Sequence, residues 1–304
     1  MTDQLLPALP KTRILYAGGP EVSSVAWGMW RFGDVDLQTA RARIDAAFDA
    51  GITFFDTADI YGCDMPAGFG HSEALLGKVF ADAPELRGRM VLASKGGIVL
   101  GTPYNSSREY IAAAIDASLA RLGVDHIDLW QVHRPDILTH PTELAEALQT
   151  AVSSGKVGAV GVSNFTSAQI DALRDAMNIP LVSTQPEFSP LHLNPLQNGE
   201  FDQAMQHSLA VMAWSPLGGG RIAAPETDRE KAVASVLDRV AEGFGVSRAT
   251  ATFSWIAAHP ARPIPIIGSQ TPARIAEAAD IYKVTWTRKA WYDVLQAAMG
   301  ENLP

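Results

Sequence analysis

One cysteine, Cys63, stands in 304 residues, so no intramolecular disulfide can form, and a reducing compartment is expected. No stretch approaches the roughly 18 uninterrupted apolar residues of a membrane helix. The N-terminal Met1-Thr-Asp-Gln-Leu-Leu-Pro lacks both the positive n-region and the apolar h-region of a secretory signal. A cytoplasmic protein without membrane contact is therefore expected. Positive charge is scarce: 24 Lys and Arg face 33 Asp and Glu, for a formal net charge of −9, with no long basic run. That balance argues against nucleic acid as a partner, because phosphate binding wants a basic surface. The seven histidines form neither an H-x-H nor an H-E-x-x-H pair, so no metal is expected, and Asp56, Asp59, His71 and His133 remain only a weak alternative set of ligands. Gly155–Gly161 lacks the G-x-G-x-x-G spacing, and Gly77-Lys78 is followed by Val79, which excludes a P-loop.

What is present suits a packed enzyme: 47% of the residues are hydrophobic and 19% charged. Short apolar runs alternate with helical patterns, the sequence form of repeated β-α units. The runs are Ser24–Gly28, Ile52–Asp56, Met90–Lys95, Ile127–His133, Val157–Ser163, Leu181–Gln185, Ala210–Trp214 and Ile264–Gly268. Between them, Ile111, Ile115, Leu119 and Leu122 recur at helical spacing before Gly123, with Ser106 and Glu109 read as a capping box. Thr166 with Gln169 offers a second capping box. Eight runs at parallel-crossover spacing, without a linker or a shift in composition, predict an α/β fold: one (β/α)8 TIM barrel over residues 1–304. Residues 14–20 are read as a hairpin closing the barrel floor, and residues 287–299 as an extra C-terminal helix.

In such a barrel, chemistry belongs at the C-terminal strand ends, where the βα loops converge. Adjacent runs end in Asp56, Lys95 and His133, and Tyr61 follows Asp56 by five residues. A carboxylate, an ammonium, a phenol and an imidazole make a proton-transfer set. Lys95 facing Asp56 is expected to stay charged and to depress the Tyr61 pKa from its ordinary value of about 10, which suits a phenol that donates to a carbonyl oxygen. Taken singly, each residue has a plainer reading: Asp56 and Lys95 as a structural ion pair, His133 as a core histidine, Tyr61 as a loop residue, Trp214 as core packing. The convergence favours the chemistry.

With those residues in view, the chain resembles the aldo-keto reductases, and in particular a bacterial oxidoreductase branch of that family. The likeness runs in order through Gly28-Met-Trp30, Phe55-Asp-Thr-Ala-Asp-Ile-Tyr-Gly62, His71-Ser-Glu-Ala-Leu-Leu-Gly77, Ala93-Ser-Lys95, Leu129 to Asp136, Gly161-Val-Ser-Asn-Phe165, Gln185, Trp214-Ser-Pro-Leu217 and Ile267-Gly-Ser269. The resemblance implies Tyr61 as general acid for reduction and base for oxidation, with Lys95 and Asp56 tuning it and His133 orienting the substrate carbonyl. It implies Ser163, Asn164 and Gln185 as the holders of a nicotinamide carboxamide, and Trp214 as the aromatic platform beneath the ring. Ser215, Leu217, Gly219, Gly220 and Arg221 match the segment that follows the pyrophosphate. Gly268, Ser269, Gln270, Arg274 and Glu277 match the segment around the adenosine phosphate, where Gly268 and Ala278 stand in place of a common lysine and asparagine. Gly28, Met29 and Asp56 complete the cofactor set, and Trp30 with His133 lines the substrate cleft.

The expected function is NADP(H)-dependent reduction of aldehydes or ketones by hydride transfer, with NADPH preferred over NADH because Arg274 suits a phosphate. A sugar or alcohol dehydrogenase running oxidatively and a cofactor-binding subunit with little turnover are the alternatives. The partner expected is a small carbonyl or alcohol. Neither its identity nor the oligomeric state leaves a signature in the sequence.

Overall fold

The computed structural model describes residues 3–303. A two-stranded antiparallel hairpin, β1 (Thr12–Ile14) and β2 (Glu21–Ser23), precedes eight parallel strands: β3 (Ala26–Gly28), β4 (Phe54–Asp56), β5 (Val91–Gly96), β6 (Ile127–Val132), β7 (Val157–Ser163), β8 (Leu181–Gln185), β9 (Ala210–Ala213) and β10 (Ile264–Ile267). These pair in sequence order, and β10 returns to β3 to close the barrel. The helices outside it are α1 (Leu37–Asp49), α2 (His71–Asp82), α3 (Arg108–Leu122), α4 (Pro141–Ser153), α5 (Ser167–Ala176), α6 (Glu200–His207), α7 (Asp228–Phe244), α8 (Arg248–Ala257), α9 (Pro272–Ala276) and α10 (Arg288–Met299). The expected barrel, floor hairpin and extra C-terminal helix are all found.

Side chains alternate across the strands and so divide the core in two. Ala26, Phe54, Val91, Ala93, Leu129, Ala159, Met212 and Ile264 fill the barrel, and Leu15 and Val22 of the hairpin join them as a plug. Trp27, Phe55, Leu92, Trp130 and Val160 point the other way and pack under the helices. Because Phe54 points inward, so does Asp56. Val91 and Ala93 likewise bring Lys95 inward, and Leu129 brings Gln131. One irregularity interrupts the order: the register shifts between Val160 and Gly161 against β8. A Cβ at Gly161 would collide with the Ser183 hydroxyl, so glycine here makes room for that hydroxyl to reach Gln131 Oε1 at 3.2 Å.

Local signals set most helix ends. Thr166 and Gln169 form the expected capping box on α5, and Thr227 with Glu230 forms another on α7. The expected box of Ser106 and Glu109 is not formed. Ser107 caps α3 by accepting from the Tyr110 backbone, while the Ser106 backbone N–H donates to the Asp136 carboxylate of the next loop. The helix therefore starts one residue later than the Ser106 reading placed it. No helix among the described residues is long and apolar enough to cross a membrane.

Candidate active site

The inward rows end in polar side chains at the C-terminal mouth, as the strand pattern requires. Lys95 Nζ donates to Asp56 Oδ2 at 2.6 Å and to the Thr57 carbonyl at 2.8 Å, and both side chains are almost wholly buried. Such a pair keeps its charges only because each is satisfied by the other and by further hydrogen bonds. Asp56 Oδ1 receives Gln185 Nε2 at 3.1 Å and lies 3.5 Å from Gln131 Nε2. Tyr61 folds back over this base: the Lys95 ammonium lies 5.0 Å from its ring centroid. The rings of Trp30 and His133 meet Tyr61 edge-on at 5.0 and 5.9 Å. Asp56, Tyr61, Lys95 and His133 thus converge as expected.

The sign of one expectation is corrected. Burial pushes the Tyr61 phenol above its ordinary value, outweighing the pull of Lys95, and Asp56 adds to the upward push. The phenol is therefore held protonated, and Lys95 is poised to stabilise the phenolate only once the proton has left. Burial also drives His133 well below the ordinary histidine range, with the charges of Lys95 and Arg134 adding to the effect, so its imidazole is neutral. Its Nδ1 is buried without a partner. A neutral imidazole can donate one hydrogen bond to a carbonyl oxygen and still accept at the other nitrogen.

The residues expected to hold a cofactor form a band beside this centre. Ser163 Oγ donates to the Gln185 carbonyl at 2.8 Å, and Asn164 Nδ2 donates to Ser163 Oγ at 2.8 Å and to the His133 carbonyl at 3.1 Å. Trp214 Nε1 donates to Asn164 Oδ1 at 3.0 Å, which fixes the indole plane. Gln185 is thus shared between the band and the ion pair, a role the sequence did not indicate. Beyond Trp214, Ser215 adopts the left-handed region (φ 53°), and its hydroxyl accepts the Gly219 backbone N–H at 2.9 Å. Gly219 and Gly220 are exposed with positive φ, and nothing stands where a Cβ would be. Leu217 precedes them, half-buried against the core. Arg221 Nε donates to the Gly218 carbonyl at 2.8 Å, with its guanidinium 3.6 Å from Glu230.

Across the mouth, Gly268 is open on its side-chain face, and the Ser269 carbonyl accepts from Trp27 Nε1 at 2.9 Å. Gln270 Nε2 donates to the Gly28 carbonyl at 3.1 Å, leaving Gln270 Oε1 buried without a partner. Arg274 and Glu277 stand exposed around α9. Met29 puts its side chain into the helix-facing core. These features fit an extended dinucleotide: an indole with fixed plane, an open glycine pair for close backbone approach, an unsatisfied amide oxygen and an exposed arginine.

Two residues near the centre escaped the sequence reading. Gln131 lies two residues before His133 on the same inward row, and that phase was the signal for it. Arg134 stands next to His133 with its guanidinium 5.7 Å from the Trp214 ring centroid, and nothing in the sequence distinguishes it from a solvated arginine.

The model of the Aldo/keto reductase family matches residues 24–297, and this chain belongs to that family; it is an oxidoreductase. It is 58% identical to a 6-dehydroglucose reductase of Novosphingobium aromaticivorans, over 98% of this chain and 99% of that one. It is 36% identical to a 6-dehydroglucose reductase of Agrobacterium fabrum, over 96% and 99% of the two chains. With the oxidoreductase YdhF of Escherichia coli it shares 36% identity over 94% and 97%. The thermostable aldo-keto reductase Tm1743 superposes with a TM-score of 0.80 at 21% identity, covering 94% of this chain and 99% of that one. The family generally uses nicotinamide cofactors.

Proposed function

We propose that the protein reduces the aldehyde group of a hydroxyl-rich, sugar-like substrate with NADPH, with Tyr61 as the acid. The observation that carries this reading is the arrangement around Tyr61: a protonated phenol lies beside a neutral imidazole at 5.9 Å and above an ammonium locked to a carboxylate at 2.6 Å. Bound NADPH supplies the hydride. His133 receives the carbonyl oxygen and aims it at the phenol. As negative charge grows on that oxygen, Tyr61 gives up its proton, and Lys95 stabilises the phenolate left behind. Asp56 holds Lys95 charged and aimed, while Gln185 and Gln131 hold Asp56.

Ser163, Asn164 and Gln185 would take the carboxamide, Trp214 the face of the ring, and Ser215 to Arg221 the pyrophosphate. Gly268 to Glu277 would line the adenosine end, with Arg274 the residue that favours a 2′-phosphate. The substrate class rests on the two relatives that carry the name 6-dehydroglucose reductase. It is supported by the donor-rich Arg134 and the half-exposed Trp30 at the mouth, since a guanidinium suits clustered oxygens and an indole suits the C–H face of a sugar.

Purified protein titrated with each cofactor, then offered simple aldehydes, ketones and sugar aldehydes, tests the proposal. Expected are tighter binding of NADPH than of NADH and the highest kcat/KM on a sugar aldehyde. Cofactor binding without turnover of any carbonyl would indicate a binding subunit instead.

A further inference from the structure

Behind Tyr61 and Lys95, on the outer side of β5, lies a second ionisable cluster that the reductase reading does not use. Asp59 is 1% exposed and Glu73 wholly buried, and the two carboxyls share one guanidinium, that of Arg121. Glu73 takes that cation: Arg121 Nε donates to its Oε2 at 2.8 Å, and the Ser94 hydroxyl donates to its Oε1 at 2.5 Å. Arg121 Nη2 lies 2.7 Å from the same Glu73 oxygen and donates to the Ser118 hydroxyl at 3.2 Å. Lys95, the other nearby cation, spends its hydrogen bonds on Asp56, Thr57 and Tyr61. Asp59 is left without a cation of its own, and its Oδ1 is buried with no partner. Its Oδ2 fills the space over Gly96, where a Cβ would stand 2.8 Å from it and 2.8 Å from Trp130 Cζ2.

The placement couples Asp59 to the reacting phenol. Its backbone N–H donates to the Lys95 carbonyl at 2.9 Å, and Tyr61 follows two residues on. The charged and titratable groups that face it are Glu73 from α2, Arg121 and Tyr110 from α3, Lys95 from β5, and Tyr61 from its own segment. A buried carboxyl with no cation is most stable neutral.

We propose that Asp59 is a positioning residue for the Tyr61 proton: a neutral carboxyl whose ionisation sets a negative charge behind Tyr61 and Lys95 and makes the phenol hold its proton more tightly. The inference rests on Tyr61 being the acid and base of the reaction. Burial first, and Glu73 second, push the Asp59 carboxyl up to about 8, so the switch falls within a workable pH range. Below it Asp59 is silent. Above it the phenolate needed for alcohol oxidation becomes harder to form, while the phenol needed for reduction persists to higher pH.

The experiment is the pH dependence of kcat/KM for alcohol oxidation with NADP+, in wild type and in Asp59→Asn, which keeps the shape and is permanently neutral. Expected is a rise with pH that flattens near pH 8 in wild type and runs on in Asp59→Asn. The two proteins should be equal at neutral pH and about tenfold apart on the alkaline side. Infrared spectra of wild type labelled at its aspartates should show a protonated carboxyl at neutral pH that titrates over the same range, a readout that needs neither turnover nor a folded variant. Superimposed pH profiles, or no protonated aspartate at neutral pH, would overturn the inference. Absence of turnover in wild type would instead remove the reductase reading on which it rests.

Discussion

His133 shows how little a single side chain says alone. An imidazole at the end of an apolar run has a plain structural reading, and the proposal that it orients a carbonyl rests on Asp56, Tyr61 and Lys95 arriving at the same mouth. Those four were legible in the sequence because the strand period fixes which residues face inward and the barrel fixes which end they reach. What was not legible is energetic. The direction of the Tyr61 shift depends on burial and the nearby carboxylates weighed against the pull of Lys95, and Trp30 and His133 pack against the phenol ring. The bonds beneath Asp56 were hidden for another reason: Gln185 looked like a cofactor ligand, yet its amide nitrogen points at the carboxylate. Gln185→Met should therefore weaken the reaction as well as the cofactor. Losing a hydrogen bond to a buried charge costs about 1.5–3 kcal/mol, so kcat should fall about ten- to a hundredfold in steady-state assays at saturating cofactor. A change in cofactor affinity alone would show that the bond to Asp56 does not matter.

At the scale of elements, the alternation of apolar runs and helical patterns located every barrel strand, with boundaries moving by one or two residues. The box of Thr166 and Gln169 is legible in the sequence because a capping box is a purely local arrangement. Ser106 does not cap α3, because Asp136, thirty positions away, claims its backbone N–H and leaves Ser107 to cap the helix. Thr166→Ala removes one half of the box on α5. It should cost about 1 kcal/mol, seen as a lowered midpoint in urea with an unchanged slope, and leave turnover as it was. The helix faces solvent on one side and carries no proposed contact.

For the whole molecule, barrel closure between β10 and β3 brings Gly268–Gln270 next to Gly28, so the two ends of the chain complete one site. Closure also buries groups whose titration the fold must bear. The Asp59 carboxyl, raised to about 8 from an unfolded value near 3.8, favours the folded state at low pH; that contribution is complete below the unfolded value and is lost as pH rises through about 8. His259, lowered to about 4 by burial, works in the opposite direction: its contribution is complete above 6.5 and lost as pH falls toward 4. Asp59→Asn should accordingly gain Tm over wild type as pH rises from about 4 to 8, with a constant gap above that. A gap independent of pH would mean that Asp59 is ionised in the folded protein throughout.

We propose above that Tyr61 gives its proton to a carbonyl at a site where NADPH binds. The decisive comparison is Tyr61→Phe beside wild type, with NADPH affinity measured by fluorescence and carbonyl reduction by loss of NADPH absorbance on the best aldehyde found. Unchanged affinity and turnover lower by about 10²–10⁴-fold are expected. Turnover equal to that of wild type would contradict the proposal.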